Sequence, residues 1–188
     1  MSPPVESFEA IPDAPVSGVV RGAQFTLRDA RYTVDRRMGY AHTDITLSMG
    51  TADKPCGEIK PKHATSVWLR LDGPLAVERG QIRLDPKAQI PWSAHYQARE
   101  NDRWVGNGDG AALLWIQSIG PDGKIAGDVA VCFGDGEKSC VKGAFNAPHC
   151  PVSIDEPVRG TVAEDVEGNL PKPKPVEARD AGAPDAGH

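Results

Sequence analysis

The stretch that decides the fold lies at residues 111–145 and reads AALLWIQSIGPDGKIAGDVAVCFGDGEKSCVKGAF. Two turn signals interrupt it, Gly120-Pro121-Asp122-Gly123 and Gly134-Asp135-Gly136. Proline fixes φ in such turns and glycine supplies the positive φ that tight hairpins need. Between the turns, apolar and polar residues alternate as in strands with one buried face. The stretch therefore predicts an antiparallel meander.

Three-residue loops at 121–123 and 135–137 would set the register of both hairpins. The first register pairs Ile119 with Ile125, Trp115 with Val129 and Leu113 with Val131. The second pairs Gly127 with Phe145, Val131 with Val141 and Cys132 with Cys140. Together they predict one apolar inner face formed by Leu113, Trp115, Ile119, Ile125, Val129, Val131, Phe133, Val141 and Phe145.

The predicted register also pairs the four cysteines of the chain. Directly opposed residues of a sheet have Cβ atoms about 4.5–5.5 Å apart, close to what a disulfide needs. Cys132 and Cys140 are therefore predicted to form one bridge, which leaves Cys56 and Cys150 for the second. Disulfides in turn predict an oxidising, extracytoplasmic compartment such as the periplasm, the cell surface or the medium.

Two alternatives to the disulfides stay open from the sequence. The four cysteines could be free thiols. A zinc site could also use Cys132, Cys140, His149 and Cys150, although the close Cys-x₂-Cys pairs typical of such sites are absent. The turn-defined register favours the disulfides, and we expect no metal and no cofactor.

Period-two alternation recurs before the meander, around Phe25, Ile45, Val67 and Ile82. With 20 glycines and 17 prolines among 188 residues, the composition favours short strands joined by turns over a helical bundle. We therefore expect an all-β protein, an antiparallel two-sheet β-sandwich of the jelly-roll or Ig-like kind. It would have seven to nine strands and be cross-linked by disulfides. A closed barrel is the alternative.

Charge and proline content divide the chain into three parts. Residues 1–16 form a proline-rich linker, residues 17–150 the β-sandwich domain, and residues 151–188 an acidic tail rich in proline, alanine and glycine. Residues 151–169 could be an edge element or more tail. The middle part carries 17 basic and 15 acidic side chains, so no basic surface for nucleic acid is expected. No apolar run approaches the roughly 20 residues of a membrane span.

Signatures of catalysis are missing from the sequence, which contains no Gly-x-Ser-x-Gly, His-Glu-x-x-His, P-loop or Cys-x-x-Cys motif. The glycine-rich stretch 106–110 is predicted to be a turn leading into the strand at Ala111. Asn107 and Asp109 within it could bind calcium, but the other acidic positions of an EF-hand are absent. His42 and Asp44 would share one face of a strand, and we interpret them as a surface pair rather than an acid–base dyad.

Four aromatic residues are the candidate binding residues, because exposed tryptophan and tyrosine beside polar groups suit sugar stacking or a protein contact. Trp68 falls on the polar side of its strand, and Trp104 follows a polar loop. Trp92 and Tyr96 share a face, and in the alternative interpretation they line the core with Ala94 and Ala98.

The segment Gly143-Ala-Phe-Asn-Ala-Pro-His-Cys150, after the Gly-Asp-Gly hairpin, resembles the end of uncharacterised bacterial cell-envelope lipoprotein ectodomains of β-sandwich type. The proline-bearing N-terminus and the Asp-Ala-Gly-Pro tail are similar to the tethers of such proteins. The resemblance implies an envelope protein and brings no known activity. The lipid-bearing cysteine of a lipoprotein is not found near residue 1, so a lipid anchor would belong to the full-length precursor.

The sequence therefore predicts a non-catalytic binding or structural module of the bacterial cell envelope, whose partner is an envelope protein or glycan. One alternative is a carbohydrate-binding module that uses the four aromatic residues. A second alternative is a metal-dependent or hydrolytic enzyme.

Overall fold

The computed structural model describes residues 10–35, 41–61, 64–73, 75, 80–84, 93–100 and 103–151. The secondary-structure elements in these ranges are all β-strands. Within them, no helix has the length and apolar character that crossing a membrane requires. The strands, in chain order, are β1 Ser17–Val20, β2 Ala23–Thr26, β3 Asp29–Asp35, β4 His42–Ser48, β5 Thr51–Ala52, β6 Ile59–Lys60, β7 Ser66–Asp72, β8 Gln81–Leu84, β9 Ser93–Glu100, β10 Arg103–Ile119, β11 Ile125–Phe133 and β12 Cys140–Ala147.

The expected all-β antiparallel class is confirmed, but the expected sandwich is not. Ten strands form one sheet in the order β2-β1-β12-β11-β10-β9-β7-β4-β3, with β8 also paired to β10, and β5 and β6 form a separate ribbon. The described residues thus hold twelve strands rather than seven to nine, and the main sheet is not closed. The reason is the 17-residue strand β10, which pairs with β11 on one edge and with β9 and β8 in succession on the other.

The predicted register of the second hairpin is confirmed. Gly127 pairs with Phe145, Val131 with Val141 and Cys132 with Cys140. In the first hairpin the pair Ile119–Ile125 is confirmed, but a bulge between Ile116 and Ser118 shifts the remaining pairs by one residue. A bulge places two residues of one strand opposite one residue of its partner, so side chains beyond it change face.

Trp115 and Leu113 were therefore predicted with the wrong partners. Trp115 pairs with Asp128 and is 38% exposed, and Leu113 pairs with Ala130. Leu113 is fully buried but lies outside the main core cluster, which takes Leu114 from this strand instead.

The stretch 106–110 is also not a turn, because it continues β10 and pairs with β9. This stretch contains a second bulge, at which Asp109 and Gly110 are both paired with Ala94.

One face of the main sheet buries a single core. Its large, fully buried side chains come from most strands of the sheet and include Phe25, Ile45, Leu47, Leu69, Leu71, Leu114, Ile116, Ile125 and Phe133. On β4, β7 and β9 the other face carries polar, charged and aromatic side chains, and this outer face positions the candidate site.

Both predicted disulfides are present, with Cα–Cα distances of 4.1 Å for Cys132–Cys140 and 5.3 Å for Cys56–Cys150. This pairing excludes four free thiols and the Cys132, Cys140, His149, Cys150 zinc site. Cys150, at one end of the Cys56–Cys150 bridge, lies in the segment after β12, which is hydrogen-bonded to β3. Tyr32 donates its N–H to the Pro148 carbonyl at 3.0 Å, and Cys150 donates its N–H to the Tyr32 carbonyl at 2.7 Å.

The ends of the proposed domain are described only in part. Val16, the last residue of the proposed linker, is fully buried and donates its N–H to the Ala144 carbonyl at 3.1 Å. Residues 1–9 and 152–188, including the proposed edge element and tail, lie outside the described residues.

Candidate functional site

Trp68 projects from the outer face of the sheet at the centre of β7. Its chain neighbours Val67 and Leu69 are fully buried in the core, and Trp68 alternates with them, as the sequence predicts. Its cross-strand neighbours are Thr46 on β4 and His95 on β9. Trp68 therefore lies on the polar face with a flat aromatic surface between two hydrogen-bonding residues.

Trp68 and His95 stack on each other, with ring centroids 5.1 Å apart and ring planes inclined by 21°. Burial lowers the pKa of His95 and the positive charge of Arg70 lowers it further, while Asp44 acts in the opposite direction. Because an unperturbed histidine titrates near pH 6.5, this imidazole is neutral at pH 7. The pair is thus an uncharged aromatic platform that can both donate and accept hydrogen bonds.

Trp104 forms a second aromatic surface on β10, which is paired with β9 on the side away from β7. Its side chain is 48% exposed. Two open depressions meet between the tryptophans, one of about 550 Å³ and one of about 270 Å³, and Trp68, Gln97 and Trp104 line both. We call the surface formed by Trp68, His95, Gln97, Trp104, Gly106 and Gly108 the aromatic groove.

Two glycines of β10 keep the aromatic groove open, and they differ in what surrounds them. A Cβ on Gly106 would lie 2.8 Å from the Tyr96 carbonyl oxygen, so the close approach of β9 requires glycine there. A Cβ on Gly108 would have no atom within 4 Å. A side chain at 108 would therefore point into open space and occupy the groove.

Among the side chains that the structure describes, two arginines beside the aromatic groove are each paired with a carboxylate. Arg70 donates to Asp44 through Nε at 2.7 Å and Nη2 at 3.1 Å. In the adjoining depression, Arg31 contacts Asp29 at 2.9 Å and donates to the Gly57 carbonyl at 2.7 Å. Both guanidinium groups are thus neutralised by a carboxylate.

The structure brings together two of the four predicted binding residues, Trp68 and Trp104. Tyr96 lines the base of the groove but is 2% exposed and belongs to the core, as in the alternative interpretation. Its ring packs edge-on against Phe133 with centroids 4.8 Å apart, and its hydroxyl donates to Asp135 at 3.0 Å. Burial, together with the hydrogen bond to Asp135, raises the pKa of Tyr96 to about 12. Trp92 lies outside the described residues.

Sequence reasoning missed His95, Gln97 and the two glycines. A signal for the first two was present, because His95 and Gln97 alternate with the buried residues Ala94, Tyr96 and Ala98 of β9. No comparable signal marked the glycines, since a Gly-Asn-Gly-Asp-Gly sequence is more typical of a turn than of a strand.

The remaining candidates for chemistry do not form a second site. His42 Nε2 lies 3.5 Å from Asp44 and 4.0 Å from Asp35, which fits a structural contact. Among the residues that the structure describes, no group of three or more His, Cys, Asp or Glu side chains is arranged to hold a metal ion.

Comparison of this chain with protein-family models, with curated proteins and with solved structures finds no significant match. The aromatic groove itself is therefore the basis for a functional argument.

Proposed function

We propose that this chain is a non-catalytic binding module of a cell envelope that works outside the cytoplasm and binds its partner through the aromatic groove. The disulfides support the compartment, because such bonds persist in oxidising environments and are rare in the cytosol. The resemblance of the segment up to Cys150 to envelope lipoprotein ectodomains supports the cell envelope as its location.

The exposed Trp104 beside the Trp68–His95 stack is the observation that carries the binding role. A tryptophan that is 48% exposed in water keeps a large apolar surface unburied, and burial of that surface by a partner is favourable. Tryptophan is also among the residues that dominate binding energies at interfaces. The groove adds a concave shape and polar groups that orient a ligand.

The arrangement of the charged groups supports binding rather than catalysis. General acid–base catalysis needs a titratable group free to exchange a proton with the substrate. Beside this groove the carboxylate of Asp44 holds Arg70 in a two-point contact, and that of Asp29 holds Arg31. These paired groups act as structural contacts, and His95 forms part of the aromatic surface through its stack on Trp68.

The proposal is tested by co-sedimentation of the oxidised protein with cell-envelope fragments of the source organism. The wild type should sediment with the fragments, and Trp104→Ala should reduce its apparent affinity at least tenfold. Trp115→Ala is the matched control, because Trp115 is an exposed tryptophan on the same strand outside the groove. Failure of the wild type to bind, or equal binding by all three proteins, would overturn the proposal.

A further inference from the structure

We infer that the ligand of the aromatic groove is an uncharged polysaccharide chain. This inference rests on the proposed binding function of the same surface and names its ligand class. It is carried by three features: the paired charges, the aromatic surfaces and the distance between them.

The paired charges disfavour an ionic ligand. An acidic polysaccharide or a nucleic acid is attracted by cationic groups that lack an acidic partner, but Arg70 is held by Asp44 and Arg31 by Asp29. The carboxylates of Asp44 and Asp29 are held by the same two arginines, so they do not favour a basic ligand. The neutral His95 and the amide of Gln97 instead offer donors and acceptors without charge, which suit hydroxyl groups.

The aromatic surfaces fit the faces of sugar rings. A pyranose ring presents C–H groups on its faces and hydroxyl groups at its rim, so it needs a flat apolar platform with hydrogen-bonding groups at the platform's edge. Trp68 provides an aromatic surface with such groups around it: Thr46 is its cross-strand neighbour on β4, His95 stacks on it from β9, and Gln97 lines the same depression. Trp104 provides a second, more exposed platform.

The spacing of the platforms favours a chain over a single sugar. Trp68 is level with His95 and Trp104 is level with Arg99, so the two lie two strands and four residues apart. Strand geometry converts this offset into about 10 Å across the sheet and about 13 Å along it. One sugar ring cannot reach both platforms, whereas several linked rings can. Because Gly108 has no side chain, the space beside it in the groove stays open for such a chain of sugars.

The inference is tested by affinity electrophoresis of the oxidised protein in gels that contain one polysaccharide each. The neutral panel is hydroxyethylcellulose, mixed-linkage glucan, glucomannan and soluble starch, and the acidic panel is polygalacturonate and alginate. At least one neutral polysaccharide should retard the wild type, and the acidic ones should not. For the retarding polymer, titrations followed by tryptophan fluorescence should show at least tenfold higher affinity for the hexasaccharide than for the disaccharide.

Three variants locate the interaction. Trp104→Ala and Gly108→Val should each weaken binding at least tenfold, the first by removing a platform and the second by filling the groove. A Cβ at 108 would have no atom within 4 Å, so Gly108→Val tests the groove even if the first variant is unstable. Trp115→Ala should bind like the wild type.

Retardation by no neutral polysaccharide, retardation by acidic ones only, or equal affinity for short and long oligosaccharides would each overturn the inference. The envelope co-sedimentation separates its failure from that of the proposed function. If binding to fragments depends on Trp104, survives glycoside hydrolases and is lost after protease treatment, the groove is a binding surface and its ligand is a protein. If the fragments do not bind at all, the proposed function itself fails.

Discussion

Removing the Cys56–Cys150 disulfide should destabilise the protein more than removing Cys132–Cys140, because the two bridges close loops of very different length. The first joins residues 94 positions apart and the second residues 8 positions apart. A cross-link reduces the conformational entropy of the unfolded chain, and the reduction grows with the logarithm of loop length. The chain-entropy relation gives about 4.7 kcal/mol for the long loop and about 2.5 kcal/mol for the short one.

The comparison uses Cys56→Ala/Cys150→Ala and Cys132→Ala/Cys140→Ala, each unfolded in guanidinium chloride and followed by tryptophan fluorescence. Each pair contains one cysteine that is only 5% exposed, Cys150 or Cys132, so the loss of buried sulfur largely cancels between the variants. The long-loop variant should then be less stable than the short-loop variant by about 2 kcal/mol. Domains of this kind are stable by only about 5–15 kcal/mol in total, so the difference is measurable.

Equal losses in the two variants, or a larger loss in the short-loop variant, would refute the entropic reasoning. Fully reduced wild type provides the control, because it should be at least as unstable as the long-loop variant without any substitution. The slopes of the unfolding curves must also be compared, since removal of a cross-link lets the unfolded chain expose more surface.

Asp135→Ala should lower the free energy of unfolding in urea by about 1–3 kcal/mol, because it removes the acceptor of the buried Ser139 hydroxyl and of the Tyr96 hydroxyl. Burial tends to raise the pKa of Asp135, but hydrogen bonds from Ser139, Tyr96 and the neighbouring backbone outweigh it and hold that pKa below its usual value. A lowered carboxyl pKa stabilises the fold above about pH 4 and ceases to do so as the pH falls further. The melting temperature of the wild type should therefore fall more than that of Asp135→Ala between about pH 5 and about pH 2, and parallel decreases would contradict this. In the same urea assay, Gly106→Ala should lower the free energy of unfolding by about 1–3 kcal/mol, because its Cβ would lie 2.8 Å from the Tyr96 carbonyl oxygen. Gly108→Ala should not lower it, because its Cβ would have no atom within 4 Å. Equal stability of the two variants would count against the close approach of β9 to Gly106.

The second hairpin could be predicted residue by residue because local chemistry sets its register. The Gly-Asp-Gly turn fixes which residues face each other, and alternation fixes which face is buried. Val131, Val141 and the pair Cys132–Cys140 then follow without any information from distant parts of the chain. The second disulfide followed by elimination, since only Cys56 and Cys150 remained.

The course of β10 could not be predicted in the same way, because its two bulges leave no mark in the local sequence. Each bulge inserts one residue and exchanges the two faces of the strand. Before Asp109 the outward positions are even-numbered, as at Trp104, whereas after Gly110 the core takes the even-numbered Ala112 and Leu114. A continuous alternation drawn through 111–119 therefore placed Trp115 inside, where the structure has it exposed.

The expected division into two sheets is not confirmed, and the length of β10 is part of the reason. A strand of 17 residues is about three times the usual length, so the glycine-rich stretch within β10 was interpreted as its boundary. Whether such a stretch turns or continues depends on the partner strand. Here β9 lies close enough for Gly106 to pair with Gln97, and that contact comes from a strand elsewhere in the sequence.

The candidate site follows from the same long-range pairing. The sequence marks Trp68 as a residue on a polar face and Trp104 as a residue after a polar loop. It does not show that β9 lies between them and supplies His95 and Gln97. Glycine in the middle of a strand is unfavourable by roughly 0.5–1 kcal/mol relative to alanine. At position 106 the close packing of β9 explains why the residue is glycine. At position 108 no atom lies near enough to a Cβ to require glycine. Functional sites are where a sequence departs from the residues that best stabilise its fold. An unfavourable residue whose visible effect is an open space beside two tryptophans is therefore what we expect if the proposed ligand occupies this space.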